Sequence, residues 1–339
     1  LYLRIRHCLY EQNSEQCAGA ESKYQHFRQV YDAEFQAEKY YTAVMSLTVN
    51  NFHSRDVVLN QAKESVAALL PLLRAFQSPK LHLYGSLVDL MQYTTARDYT
   101  AAMDVCEKAI RFFQDLPYQA RDPLQVFYYQ RLIYSVHLRQ FETGKQSALA
   151  CLDLAGEENF NRLKIKELYM LLALHAKQYD EAFRVFSEVK VDGQFGFLPE
   201  EIKSTWALYE PYLYFLQGAG VLKMPRENRG NPYRFNLKTR DAASGETRWN
   251  SALMGIEFLL LLQQKRYDEL LDRAELLENY CRTNLDNECT RRSYLFLKML
   301  ALIPAGQFQR YLIIPMASPF LAKLKATPLA LANQTKEIE

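Results

Sequence analysis

One junction recurs along this chain of 339 residues and limits what it can fold into. Four times a run with helical periodicity closes on a charged or polar pair, an aromatic follows, and a new helical run begins. The four are ARDYTAA from Ala96, LRQFETG from Leu138, AKQYDEA from Ala176 and QKRYDEL from Gln264. The aromatics Tyr99, Phe141, Tyr179 and Tyr267 lie 42, 38 and 88 residues apart, the last spacing being two repeats with one junction obscured by an insertion. Three, seven and ten residues after each aromatic come Ala102, Cys106 and Ala109; Gly144, Ala148 and Cys151; Ala182, Phe186 and Val189; and Leu270, Ala274 and Leu277. A small or apolar stripe at those steps lies on one helix face. It lets one helix lie close against the first helix of its own pair and against the next pair.

Periodicity is helical nearly everywhere. Tyr24, Phe27, Tyr31, Phe35, Tyr41, Met45 and Val49 predict one face of a long helix, or of two nearly collinear ones. Val58, Ala62, Val66 and Leu69 mark a second helix, and Pro79 is placed for the first turn of a third. Further helices are predicted at about 80–96, 99–114, 123–139, 142–155, 159–177, 179–189, 199–217, 249–264, 267–283, 288–303 and 306–325. No segment alternates as a strand, and VDGQFGF from Val191 reads as a loop. Gly and Pro number 12 each, too few for the closely spaced turns of a sandwich, barrel or doubly wound sheet.

The junctions resemble the tetratricopeptide repeat, and Tyr179, Asp180, Glu181, Ala182 and Phe186 carry the likeness best. That family's Trp and Leu-Gly signature is missing, and spacings near 40 exceed its 34 residues. QQKRYDELLDRAELLENYC followed by RRSYLFLKMLALIP is similar to the C-terminal part of uncharacterised helical-repeat proteins of Bacteroidetes bacteria. The resemblance implies an all-α fold, a tetratricopeptide-like right-handed solenoid of antiparallel helix pairs. The expected organisation is a single array over 1–339. Long N-terminal helices occupy 1–78 and repeats 79–216; an irregular basic insertion covers 217–250, C-terminal repeats 251–325 and a tail 326–339.

Composition narrows function. Lys and Arg total 41 against 39 Asp and Glu, so no global field draws the chain onto nucleic acid. The longest apolar stretch, Ala252 to Leu262, is broken by Glu257 and is too short to cross a bilayer. The six cysteines never fall at zinc or redox spacing. They read as small buried hydrophobes in a chain suited to a reducing cytoplasm. The opening residues from Leu1 look like the middle of a helix, which leads us to expect an upstream continuation rather than a signal peptide.

No phosphate loop, HExxH, nucleophile elbow or EF-hand loop is present in the sequence, and no metal or cofactor is expected. The histidines never pair one helical turn apart; His137 and His175 read as structural. Glu34 with Glu38 and Asp268 with Asp272 share helix faces and read as solvated surface. The junction aromatics read as wedges between helices. In YEPYLYF, the tyrosines 209, 212 and 214 point in different directions, so one of them should reach a surface or a groove.

The segment Gln217–Asn250 departs from the array. It holds four glycines, two prolines and seven Lys or Arg against three Asp or Glu, and reads as a long basic connection. Arg229, Tyr233, Arg234 and Arg248 are its candidate partner-binding residues, because guanidinium forks and an aromatic beside a Gly-Pro turn suit carboxylate or phosphate. The expected function is a non-enzymatic scaffold that grips a protein or peptide on the concave face of the array. A second reading is the sensor part of a larger protein with an N-terminal output domain. A third is an α/α-toroid acting on glycans. The apolar LIIPMASPFLAKL at 312–324 is the candidate surface for a homodimer.

Overall fold

The structure, a computed structural model, describes residue 6 and residues 14–49, 55–156, 160–193, 195–223, 247–285 and 291–327. Thirteen α-helices lie among them: α1 Ser14–Val49, α2 Arg55–Ala75, α3 Pro79–Ala96, α4 Tyr99–Gln114, α5 Arg121–Leu138, α6 Phe141–Leu154, α7 Phe160–His175, α8 Tyr179–Lys190, α9 Glu200–Gly218, α10 Thr247–Gln263, α11 Tyr267–Asn284, α12 Arg291–Ala305 and α13 Arg310–Ala326. No strand occurs among the described residues, and the segment read as a loop holds one 3₁₀ turn, Phe195–Phe197. Helices consecutive in sequence pack on each other from α1 to α6 and from α8 to α13. The chain divides into two compact units, Leu1–Ile165 and Lys166–Glu339, with the boundary inside α7.

Each junction is built the same way. The second residue before the aromatic is left-handed: Arg97 (φ 61°), Arg139 (56°), Lys177 (60°) and Lys265 (59°). Its own N–H and the next one reach back to the carbonyls of the helix just ended. Lys177 N–H goes to Leu174 and Gln178 N–H to Ala173, and Lys265 and Arg266 do the same to Leu262 and Leu261. This pairing closes the orphan carbonyls of the helix end. The new helix starts at once, with Ala102 N–H on the Asp98 carbonyl and Ala182 N–H on the Gln178 carbonyl. Asp98 also accepts the Ala101 N–H on its side chain at 3.0 Å, whereas Gln140 and Gln178 at the same position make no side-chain cap. All twelve positions of the aligned stripe are buried, so the turn delivers the face that packing requires.

In the first unit, α1 to α3 share a core of Ala33, Ala37, Val44, Val58, Ala62, Leu69, Leu81 and Val88. Ser78 and Pro79 start α3 as its N-cap and first residue. Gly85 lets α3 approach α2, since a Cβ there would stand 2.9 Å from Leu73 Cδ2. The N-terminal expectation needs a correction. Ser14–Val49 is one continuous helix, but Phe27, Tyr31 and Phe35 are 58%, 65% and 61% exposed. Its buried face is the alanine stripe, because small side chains allow α1 to sit close to α3.

In the second unit, one core joins α10, α11 and α12 through Phe258, Leu261, Leu270, Leu277, Cys281, Leu297 and Leu300. A second joins α9 and α10 through Leu208, Tyr212, Leu253, Ile256 and Leu260. Trp206 is buried with Tyr209 edge-on at 5.8 Å. Tyr209 and Tyr212 are buried and Tyr214 is half-buried.

Several arginines close helix ends from a neighbouring helix. Arg55 donates to the Thr95 carbonyl of α3, and Arg162 to the Leu152 carbonyl of α6 at 2.8 Å. Buried Arg292 donates to the Leu324 carbonyl at 3.0 Å and to that of Thr327, at the end of α13. These are charge-assisted bonds to the negative ends of helices.

Three stability predictions result. Lys177→Gly removes the steric cost of a side chain at positive φ, partly offset by a looser unfolded chain, and should stabilise by about 0.5–1 kcal/mol; Gln178→Asp should add about 1 kcal/mol by capping α8. Arg292→Met should cost about 2–3 kcal/mol by orphaning the α13 carbonyls. Urea midpoints of the variants against the parent check each sign.

Candidate functional site

The basic connection is shorter than the sequence implies. The chain stays helical through Gly218 and is helical again from Thr247, because its last glycine is Gly245 and helical periodicity resumes directly after it. Arg248 therefore stands on the first turn of α10. Arg229, Tyr233 and Arg234 lie outside the described residues.

The densest polar arrangement in the first unit is the corner between α3, α4 and α5. Tyr99, the first junction aromatic, stacks on His137 of α5 with ring centroids 4.3 Å apart and faces Tyr134 at 6.1 Å. It is a wedge between helices, as the sequence predicts. The hydroxyls of Thr94 and Tyr134 share a 2.6 Å hydrogen bond. The Tyr99 hydroxyl and Arg97 Nε are buried and have no hydrogen-bond partner among the described residues. Burial raises the Tyr99 pKa, while the charges of Arg97 and Arg55 pull it back down. One helix further, Arg131 of α5 is half-buried, donating Nε to Ser147 Oγ at 2.7 Å and lying over the Tyr128 ring at 5.3 Å. Arg55, Arg97 and Arg131 have no carboxylate partner among the described residues. Excess positive charge beside donors without acceptors suits an incoming carboxylate or phosphate.

Several acids, by contrast, hold helices together, whereas half-buried Asp89 of α3 has no hydrogen bond or ion pair among the described residues and burial raises its pKa. Glu34 accepts from Ser78 Oγ. Glu38 pairs with Lys80 at 2.7 Å and accepts from the Tyr84 hydroxyl at 3.5 Å. The Lys80 bond holds the Glu38 carboxyl below its ordinary pKa. The reading of this pair as solvated surface is thus corrected: both bind α1 to α3. In the second unit, buried Glu167 of α7 accepts from Tyr209 of α9 at 2.9 Å, and Tyr212 donates to the Ala252 carbonyl of α10 at 2.9 Å. Glu181 accepts from Tyr169 and takes a two-point bond from Arg184, each arm 2.8 Å. These partners to Glu34, Glu38, Thr94, Glu167 and Tyr212 stand 40 to 46 residues away in sequence.

The described thiols are inert. Cys106, Cys151 and Cys281 are free and buried. Burial pushes Cys151 up to about 12 and Cys281 to about 11, and raises Cys106 further. No cluster among the described residues has the ligands for a metal ion, and no described helix is long and apolar enough to cross a membrane.

Two apolar surfaces stay open. The first is the α1 ridge of Phe27, Tyr31 and Phe35. The second is α13, which exposes Tyr311, Ile314 and Leu321; between Arg291 and Thr327 the chain carries six Lys or Arg and no Asp or Glu. The second lies in the apolar 312–324 segment singled out from the sequence, whereas periodicity gave the α1 stripe without telling that it faces outward. No family model, curated protein or solved structure matches this chain.

His82 on α3 generates a pH prediction. Its ring stacks on Phe112 at 4.0 Å, and its Nε2 is buried without a partner among the described residues. Burial lowers its pKa, more than its bond to the Phe76 backbone raises it. A histidine whose folded pKa is depressed contributes stability that is complete above its unfolded value of about 6.5 and is lost as pH falls below it. The urea midpoint should therefore drop as pH falls below about 6.5, and His82→Phe should flatten that part of the curve. An unchanged slope in the variant would refute the assignment.

Proposed function

We propose that this chain is a non-enzymatic, protein- or peptide-binding scaffold of tetratricopeptide-like helix pairs that recognises an acidic segment of its partner. The observation that carries the reading is the unequal use of charge. Four acids in the helix interfaces are engaged: Glu34, Glu38, Glu167 and Glu181 each hold a neighbouring helix or turn. Half-buried Arg97 and Arg131, with Arg55, have no carboxylate among the described residues. Side-chain bonds at intervals of 40 to 46 residues support helix pairs stacked in a repeating order, an arrangement that exposes an extended surface. The excess of Lys and Arg in the basic connection adds to the same preference, with Arg229, Tyr233, Arg234 and Arg248 as a second contact set. An acidic segment meeting unpaired guanidiniums gains charge-assisted bonds without displacing an existing ion pair.

The test is a screen of a random peptide library for binders, followed by titration of the best ones by fluorescence anisotropy. Acidic peptides should dominate, binding should weaken as salt rises, and Arg97→Ala with Arg131→Ala should weaken it about tenfold, equal to about 1.4 kcal/mol. Arg229→Ala, Arg234→Ala and Arg248→Ala together measure the share of the connection. Enrichment of basic or purely apolar peptides would overturn the acidic preference, and a library without binders would overturn the scaffold itself.

A further inference from the structure

We infer that the corner where the start of α2 meets the turn from α3 into α4 is a binding site for a phosphate monoester, carried as a phosphorylated side chain on the partner's acidic segment. The inference rests on the acidic-segment reading above and narrows it to one chemical group. The four junctions share one design, so the first can be compared with the others. At each, a cation stands at positive φ two residues before the aromatic. Arg139, Lys177 and Lys265 are exposed, which leaves their charged ends in water. Arg97 is half-buried and its Nε is enclosed, as is the Tyr99 hydroxyl, and neither atom has a partner among the described residues. Phe141 has no hydroxyl to place, and neither the Tyr179 nor the Tyr267 hydroxyl is left both enclosed and unbonded.

A second guanidinium reaches the same place. Arg55, the first residue of α2, donates to the Thr95 carbonyl, two residues before Arg97. Burial raises the pKa of the Tyr99 hydroxyl, and the charges of Arg97 and Arg55 both oppose the rise, so both cations stand near it. No acid answers them. Asp98 spends Oδ1 on the Ala101 N–H at 3.0 Å, and neither Asp98 nor Asp56 pairs with either guanidinium among the described residues. The His137 ring, stacked on Tyr99 at 4.3 Å, fixes the plane of the phenol.

Charge and donor count choose the ligand. A carboxylate brings one negative charge, which would answer one guanidinium and leave the other. A phosphate monoester brings about two near pH 7 and offers three acceptor oxygens, one each for Arg55, Arg97 and Tyr99. Donors that come from three chain elements suit a tetrahedral group, whereas a flat carboxylate is best met by a single planar fork. The Tyr99 hydroxyl and Arg97 Nε have already lost their water in folding, so an arriving phosphate gains bonds there without displacing any. Arg97 makes no side-chain hydrogen bond among the described residues, which leaves its guanidinium able to turn onto the anion.

Two measurements test the site. In the first, inorganic phosphate is titrated against the full chain at constant ionic strength and followed by its phosphorus NMR line width. Tyr99→Phe should weaken binding at least about fivefold while the thermal melt stays at or above that of the parent, because the hydroxyl it removes has no partner to lose. Arg97→Lys, which keeps the charge without the fork, should weaken binding less than Arg97→Ala. Phosphate binding that neither Tyr99→Phe nor Arg97→Ala alters places the anion elsewhere on the chain and overturns the site. In the second, the random peptide library is rebuilt with one position fixed as phosphoserine, glutamate or serine. The phosphoserine form should bind at least about tenfold tighter than the glutamate form, and Arg97→Ala should abolish that preference. Equal binding of the phosphoserine and glutamate forms overturns this inference and leaves the acidic-segment reading standing. A library without binders in any form overturns both, even where free phosphate still binds at the corner.

Discussion

Everything in this fold depends on a backbone torsion: the positive φ two residues before each junction aromatic. That residue turns the chain back while its N–H and the next one satisfy the carbonyls just left behind. The following helix then starts in a fixed rotational phase. Because the phase is fixed, residues three, seven and ten after the aromatic arrive on the face that meets the preceding helix, and all are buried. The torsion is adopted by Arg or Lys at all four junctions, although glycine would do so with less strain. Because Arg and Lys adopt this torsion, four helix pairs are joined without a glycine at the turn.

This dependence explains what could be read from the sequence. A junction and the stripe after it are local: the aromatic, the polar pair and the small residues lie within about fifteen positions, and 3.6-residue periodicity puts them on one face without knowledge of the partner. Helix limits at Tyr99, Phe141, Tyr179 and Tyr267 follow directly. The long helix α1 was only half legible, since it carries two candidate stripes, one aromatic and one of alanines. Hydrophobicity favours the aromatic one, and the close approach of α3 favours the alanines. The contest is decided by distance between helices, which a single helix sequence does not contain. Glu34 and Glu38 escaped for the same reason. Their partners Ser78 and Lys80 are more than forty positions away, and the pairing exists only once α1 lies beside α3. Of the four residues chosen in the basic connection, composition could reveal the charge of the segment but not a geometry.

Arginine has three distinct uses here. Arg55, Arg162 and Arg292 reach helix-end carbonyls on a neighbouring helix, with the planar fork meeting one or two acceptors at once. Arg184 holds both oxygens of Glu181. Among the described residues Arg97 and Arg131 have no acid opposite them, and Arg55 has no bond besides that to the Thr95 carbonyl. A half-buried guanidinium beside Ser147 and Tyr128 is partly stripped of water but not neutralised, and such a group gains more from an arriving anion than a fully hydrated surface lysine does. The sequence count of cations against anions, nearly balanced overall, hides this, because the balance concerns the whole chain and recognition concerns the residue left unpaired.

The polar ladder also bears on how the repeats keep their order. Apolar stripes on long helices tolerate a slip of one turn, since the residues at i and i+4 are both small or apolar. A hydroxyl buried against a carboxylate does not. If α7 and α9 slipped by one turn, Glu167 would lose the Tyr209 hydroxyl that it accepts from inside the core, a loss that apolar contacts such as those of Trp206 and Phe186 do not impose. The pair contributes little net stability over an apolar alternative, yet it penalises every wrong register. Thr94 with the buried Tyr134 plays a similar part in the first unit. Selection of register by polar contacts 40 to 42 residues apart accounts for tyrosines that a purely apolar core would not require: their rings fill the space between helices, and their hydroxyls admit only one alignment.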